Sequence, residues 1–315
     1  MIKKSTVDNM AVFGGERLFS TPKSTSNLLQ PNIEKFLDYS RVFFDQNQYT
    51  NNGPNVKLLE KRLAEFHDAE YCVSFSSGFW ALTLAIRALA LPGRAEIIMP
   101  SLTYRRMADI ASWVNLKPHF CEVDQSSLSM TAETVEPCIN ENTAIILAAH
   151  PIVNCADIEQ LTSLANEYKI PILFDSVESV YETTSSGKIG TFGDAECFSL
   201  HACKLFNGFG GGYLTTNNEK LATRLASMRT FGFTAKDTVT FTHSMNAKLN
   251  EIHAAMTLAS FDDIEHQVNL NRERYYRYKS GLKALSGIRL LEFDEEYKTG
   301  YKNILMGSKV SEHHL

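Results

Sequence analysis

Lys204 stands where an apolar run gives way to glycines. Residues 198–204 read Phe-Ser-Leu-His-Ala-Cys-Lys, and residues 205–212 read Leu-Phe-Asn-Gly-Phe-Gly-Gly-Gly. An amine drawn partly out of water loses its proton more readily, and the free base suits Schiff-base chemistry with a carbonyl. A surface lysine ahead of a hairpin would carry the same letters. The glycines follow the lysine and open no helix, so they are not a dinucleotide fingerprint, and the chain has no P-loop. A second candidate is Asp175, which closes the run Pro171-Ile172-Leu173-Phe174. A carboxylate at the end of a buried parallel strand faces the ligand edge of the sheet, where it can hold a protonated ring nitrogen. It can equally cap a helix, with Glu178 three residues on completing a capping box. Ser76-Ser77-Gly78-Phe79 reads as a strand-to-helix junction. It is either an anion site built from free backbone N–H groups or an ordinary turn. Tyr104, in Pro100-Ser101-Leu102-Thr103-Tyr104, can stack on a planar ring or fill a core.

The elements around these residues alternate. The first 50 residues are polar and irregular, and Asn51-Asn52-Gly53-Pro54 marks a turn. Val56, Leu59, Leu63 and Phe66 then recur at helical spacing. Strands are expected over 71–75, 96–99, 118–123, 143–149 and 170–174, and helices over 79–91, 104–114, 133–139 and 157–168. Repeated strand–helix units predict a mostly parallel sheet covered on both faces. From residue 194 to 216 the pattern becomes strand, glycine turn, strand. A helix over 218–230 and one long helix over 249–285 follow. The expected organisation is an N-terminal arm (1–50), a large α/β domain (51–245), and a long helix with a small C-terminal α/β domain (246–315).

The chain has 315 residues, 44% of them apolar, enough for one large core. With 31 basic and 36 acidic side chains the net charge is −5, and no basic stripe points to nucleic acid. The six cysteines form no C-x-x-C pair. They read as small apolar residues in a reducing compartment, with no disulfide framework and no metal site. No run approaches a membrane span. A cytoplasmic protein without a membrane partner is the expectation.

Taken together, the four segments resemble the DegT/DnrJ/EryC1/StrS family of aminotransferases. The likeness runs from about Asn52 to Leu282. It includes the Gly53-Pro54 turn, Gly190-Thr191-Phe192-Gly193-Asp194, and the 29-residue step from Asp175 to Lys204. The resemblance implies a fold-type I enzyme that uses pyridoxal 5'-phosphate, with a C-terminal domain shortened after Tyr301. By the same resemblance, Lys204 forms the Schiff base and moves the proton, and Asp175 pairs with the pyridine nitrogen. Ser77, Gly78, Phe79 and Ser199 lie at the phosphate, Tyr104 stacks on the ring, and Glu178 faces the phenolic oxygen. Asn246 reaches the phosphate of a second subunit, which implies a homodimer with shared active sites. The implied reaction moves an amino group from Glu or Gln to a keto-sugar, in cell-surface polysaccharide or secondary-metabolite biosynthesis. A dehydratase of the same family, which replaces the lysine with histidine, and a non-catalytic relative are the alternatives. Four positions depart from the family pattern: Phe79 where threonine is usual, Glu178 where histidine or glutamine is usual, and Arg105 and Arg106 after Tyr104, where small apolar residues are common. One of these arginines is a candidate contact for an anionic acceptor.

Overall fold

The computed structural model describes residues 11–21, 30–152, 155–234, 238–285 and 288–308. The expected arm falls partly outside them, at 1–10 and 22–29, as does the polar tail after 308. In chain order the elements are α1 (Ile33–Asp45), α2 (Pro54–His67), β1 (Tyr71–Phe75), α3 (Gly78–Leu89), β2 (Glu96–Pro100), α4 (Met107–Trp113), β3 (Lys117–Cys121) and α5 (Ala132–Val135). They continue with β4 (Thr143–Ala149), α6 (Ile158–Tyr168), β5 (Ile172–Asp175), β6 (Thr183–Thr184), β7 (Gly187–Lys188), β8 (Ala195–Ser199) and β9 (Gly212–Thr216). The last are α7 (Glu219–Met228), α8 (Glu251–Phe261), α9 (Ile264–Leu282), β10 (Ile288–Leu290) and β11 (Met306–Ser308).

Seven strands form one sheet in the order β1-β9-β8-β5-β4-β2-β3. Only β9 runs against the rest, pairing antiparallel with both β1 and β8. The α/β expectation therefore holds. Side chains alternate across the sheet as period-2 strands require. Ile98, Ile146, Ala148, Ile172, Phe174 and Phe198 join a core with α2, α6, α8 and the start of α9. Ile97, Met99, Ile145, Leu147, Leu173 and Leu214 face the other way, against α3, α4 and α7.

Two expectations fail for physical reasons. The first 50 residues are not irregular throughout: Ile33–Asp45 is a helix, capped by the Asn32 side chain on the Glu34 and Lys35 N–H groups. The long C-terminal helix is broken between α8 and α9, at Asp262 and Asp263. Asp262 binds Arg62 at 2.7 Å and the Tyr39 hydroxyl at 3.0 Å. Asp263 accepts from Asn32 N at 3.2 Å and pairs with Lys35. These contacts dock α1 and α2 on the break. The Gly53-Pro54 turn is explained at the other end of α8. Glu251, fully buried at the start of α8, caps α2 by accepting from Asn55 N at 2.7 Å and Val56 N at 3.2 Å. A Cβ on Gly53 would stand 2.7 Å from that carboxylate. Among the described residues no helix is long and apolar enough to cross a membrane.

Candidate active site

The carboxyl ends of β1, β2, β4, β5 and β8 lie along one edge of the sheet, where α/β proteins bind ligands. Gly212, the first residue of β9, is paired with both Phe75 and Ser199. This single glycine draws the turn after β1 against the end of β8. A Cβ on Gly212 would lie 2.3 Å from Gly78 N and 2.7 Å from Ser77 C, and one on Gly78 would lie 3.2 Å from Phe198 O. Ser77, Gly78 and Ser199 therefore converge, with α3 opening directly from the turn. The Ser77 hydroxyl caps α3 by accepting from Trp80 N at 3.2 Å. The Ser199 hydroxyl accepts from His201 N at 3.3 Å. Each accepts there, so its own proton remains for donation to an anion. The Phe79 side chain adds no donor. Its ring packs edge-on against Trp80, 5.1 Å between centroids.

Asp175 ends β5, and its carboxylate accepts from Val177 N at 3.2 Å. No helix follows it, so the capping-box reading with Glu178 is excluded. Removal from water pushes its pKa up to about 6, against smaller opposing effects of the Val177 N–H and Lys204. A carboxyl held in that state is poised for a cation such as a protonated pyridine nitrogen. Beside it, His150 follows the end of β4, donates its backbone N–H to Asp175 O at 3.0 Å, and stacks on Phe174. Its Nδ1 accepts from Ala156 N at 3.1 Å, which puts the ring proton on Nε2, facing Glu196 at 3.8 Å.

Lys204 lies five residues past β8, where the chain turns back towards β9. Leu200 N bonds Gly211 O at 2.9 Å and Ala202 N bonds Phe209 O at 3.2 Å, closing the glycine turn around it. Its ammonium is paired with Glu178. Glu178 also receives Lys302 at 2.9 Å and Asn303 at 3.3 Å on its other oxygen. Burial alone would raise the Glu178 carboxyl, but Lys302 and Lys204 outweigh it and hold the pKa down to about 2. The Glu178 carboxylate is thus bridged by two lysines rather than left as an isolated buried charge.

Tyr104 lies in the loop after β2 and is 61% exposed. Arg105 is exposed beside it, and Arg106 is paired with Asp109. Asn246 is exposed too. Its segment bridges to Thr230, and the next residue, Ala247, accepts from Ser76 N at 2.7 Å, so Asn246 sits next to the turn after β1. The Gly190–Asp194 motif proves structural. Asp194 accepts from Ile172 N at 2.8 Å, and Gly190, at φ +127, has no room for a Cβ against His67. His150, Lys302 and Asn303 were not anticipated from the sequence. His150 follows a strand end, the same signal that singled out Asp175. Lys302 and Asn303 carry no local signal.

Comparison with known proteins identifies the family and the fold. The model of the DegT/DnrJ/EryC1/StrS aminotransferase family matches residues 32–314. A dTDP-4-amino-4,6-dideoxy-D-glucose transaminase of Shigella dysenteriae is 28% identical over 263 residues, covering 83% of this chain and 70% of that protein. A UDP-2-acetamido-2-deoxy-3-oxo-D-glucuronate aminotransferase of Pseudomonas aeruginosa is 27% identical over 237 residues, covering 74% of this chain and 65% of that protein. Among solved structures, DesI in the presence of its TDP-sugar product superposes with a TM-score of 0.90 at 26% identity, covering 96% of this chain and 76% of that one.

Proposed function

The chain belongs to the DegT/DnrJ/EryC1/StrS aminotransferase family, and on that premise we propose that it is a pyridoxal-phosphate-dependent aminotransferase that moves an amino group from Glu or Gln to a nucleotide-linked keto-sugar. The observation that carries this reading is the convergence of Lys204, Asp175 and the Ser77–Gly78 turn on one sheet edge, next to the end of β8. Pyridoxal phosphate, when bound, supplies an electron sink and carries the amino group between donor and acceptor. The donors at Ser77, Gly78 and Ser199 would hold its phosphate, and Asp175 would keep the ring nitrogen protonated. Tyr104, on the loop after β2, would stack on the ring. Lys204 Nζ would take the proton from the donor Cα and deliver it to the cofactor carbon that receives the amino group, and would carry a proton the other way in the acceptor half-reaction.

In this reading the enzyme works in the cytoplasm as a homodimer with shared sites. The dimer reading is supported by exposed aromatics near the site: Phe231 and Phe233 lie beside the Asn246 bridge, and Phe209 lies in the glycine turn. Exposed apolar side chains of this size are candidates for an interaction surface.

The test is direct. Purified protein mixed with pyridoxal phosphate should develop a visible band that borohydride fixes covalently on Lys204, located by peptide mass. Glutamate should discharge the band, and a nucleotide-linked keto-sugar should then gain an amine by mass spectrometry. Lys204→Ala should abolish the fixed label and lower turnover by at least ~10³-fold. Protein that takes up no cofactor would overturn the proposal.

A further inference from the structure

Glu178 occupies a position where the family resemblance predicts a neutral histidine or glutamine, and it brings a negative charge to the cofactor's side of Lys204. Four groups surround it. Lys204 approaches from the loop after β8, and Lys302 and Asn303 approach from the C-terminal segment at 2.9 and 3.3 Å. Asp175, at the end of β5, contributes a second carboxylate, with His150 behind it. Lys204 cannot be a permanent counter-ion for Glu178, because its nitrogen is the one the chemistry uses. Lys302 has no such duty. Nor is it needed to anchor its own segment. Lys298 makes a nearly fully buried ion pair with Glu182 at 2.9 Å, Thr299 donates to Tyr181 O at 2.6 Å, and Tyr301 packs with Tyr275 and Phe293.

We propose that Lys302 is a positioning residue that neutralises Glu178, so that the pair Glu178–Lys302 acts as one uncharged unit beside Lys204 and the cofactor's phenolic oxygen. This deepens the aminotransferase reading and rests on it. The depressed pKa of Glu178 is the companion observation: the carboxylate stays ionised across the working pH range, so its charge must be balanced throughout. Asn303 adds a neutral donor to the same oxygen.

The experiment is a pH titration of the visible band in cofactor-loaded protein. Lys302→Met leaves the carboxylate unbalanced and favours the protonated chromophore, so the midpoint should rise by about one pH unit. Lys302→Gln, which keeps a donor without the charge, should do the same and covers a Met variant that fails to fold. Glu178→Gln leaves a lone ammonium, and the midpoint should fall. The double variant Glu178→Gln/Lys302→Met should return close to the wild-type midpoint, as should Lys302→Arg alone. A purely structural role would lower stability without moving the midpoint. A wild-type band with an unmoved midpoint in both Lys302→Met and Lys302→Gln would overturn this inference alone, as would shifts of the same sign in Lys302→Met and Glu178→Gln. Absence of any band in the wild type would overturn the reading of the site as well.

Discussion

Asp175 carries an energetic cost that its function explains. Its pKa, ordinarily 3.8, is lifted to about 6 because the end of β5 is poorly solvated. A raised carboxyl pKa means the folded state binds the proton more tightly than the unfolded chain does. The associated stability is complete below about pH 4 and is lost as pH rises through about 6. At pH 8 the ionised side chain therefore costs the cofactor-free fold on the order of 3 kcal/mol. Asp175→Asn keeps the shape and removes the charge. Thermal unfolding of the cofactor-free variant should show a higher Tm than wild type at pH 8 and an equal one at pH 4, while cofactor affinity falls. A variant less stable than wild type at pH 8 would show that the site carries no such cost. Asp175 and Lys204 were legible in the sequence because both follow apolar strands, where parallel sheets place ligands. The partners of Glu178 were not. Lys302 meets it across 124 residues, and no local pattern encodes a contact of that span.

Among the elements, the junction of β1, β9 and β8 decides whether the anion-binding turn exists. Gly212 lies between Phe75 and Ser199 with backbone packed against backbone, so an added methyl has no flexible side chain to displace. Gly212→Ala should force β9 away from the turn at Ser77–Gly78. The expected result is a loss of about 2 kcal/mol in stability and a fall in cofactor affinity larger than the fall in donor affinity. Gly210→Ala is the control, since a Cβ there meets nothing within 4 Å. Equal effects from the two substitutions, read by thermal unfolding and cofactor titration, would argue that glycine is needed only for turn flexibility. Strand and helix alternation made this architecture readable, and most elements fall within a few residues of their expected bounds. Where reading failed, the cause was tertiary. The α8–α9 break has no proline or glycine to announce it, and exists because Asp262 and Asp263 hold α1 and α2. Conversely, α1 had its signal in Ile33, Phe36, Leu37, Ser40 and Phe43, but polar neighbours masked it.

On the scale of the whole molecule, the proposed dimer makes a quantitative claim. If each site takes Lys204 from one protomer and Asn246 from its partner, two inactive variants can repair each other. In a mixed dimer of Lys204→Ala and Asn246→Ala, one site receives an intact lysine from the Asn246→Ala protomer and an intact asparagine from the Lys204→Ala protomer. The other site is doubly impaired. Random exchange of equal amounts makes half the dimers mixed, so about a quarter of wild-type sites reappear. The placement of Asn246 suits this: it is exposed, yet its strand-like segment is tied to Ser76 N through Ala247 and to Met228 and Arg229 through Met245 and Ala247. A residue held firmly by its own chain but directed at solvent can reach a neighbour at little entropic cost. Subunits exchanged under mild denaturant and assayed for amino transfer should recover about a quarter of wild-type activity, while each variant alone stays low. Activity no higher than the average of the two parents would mean that every site is built from a single chain, and Asn246 would then act on the Ser76–Gly78 turn of its own protomer.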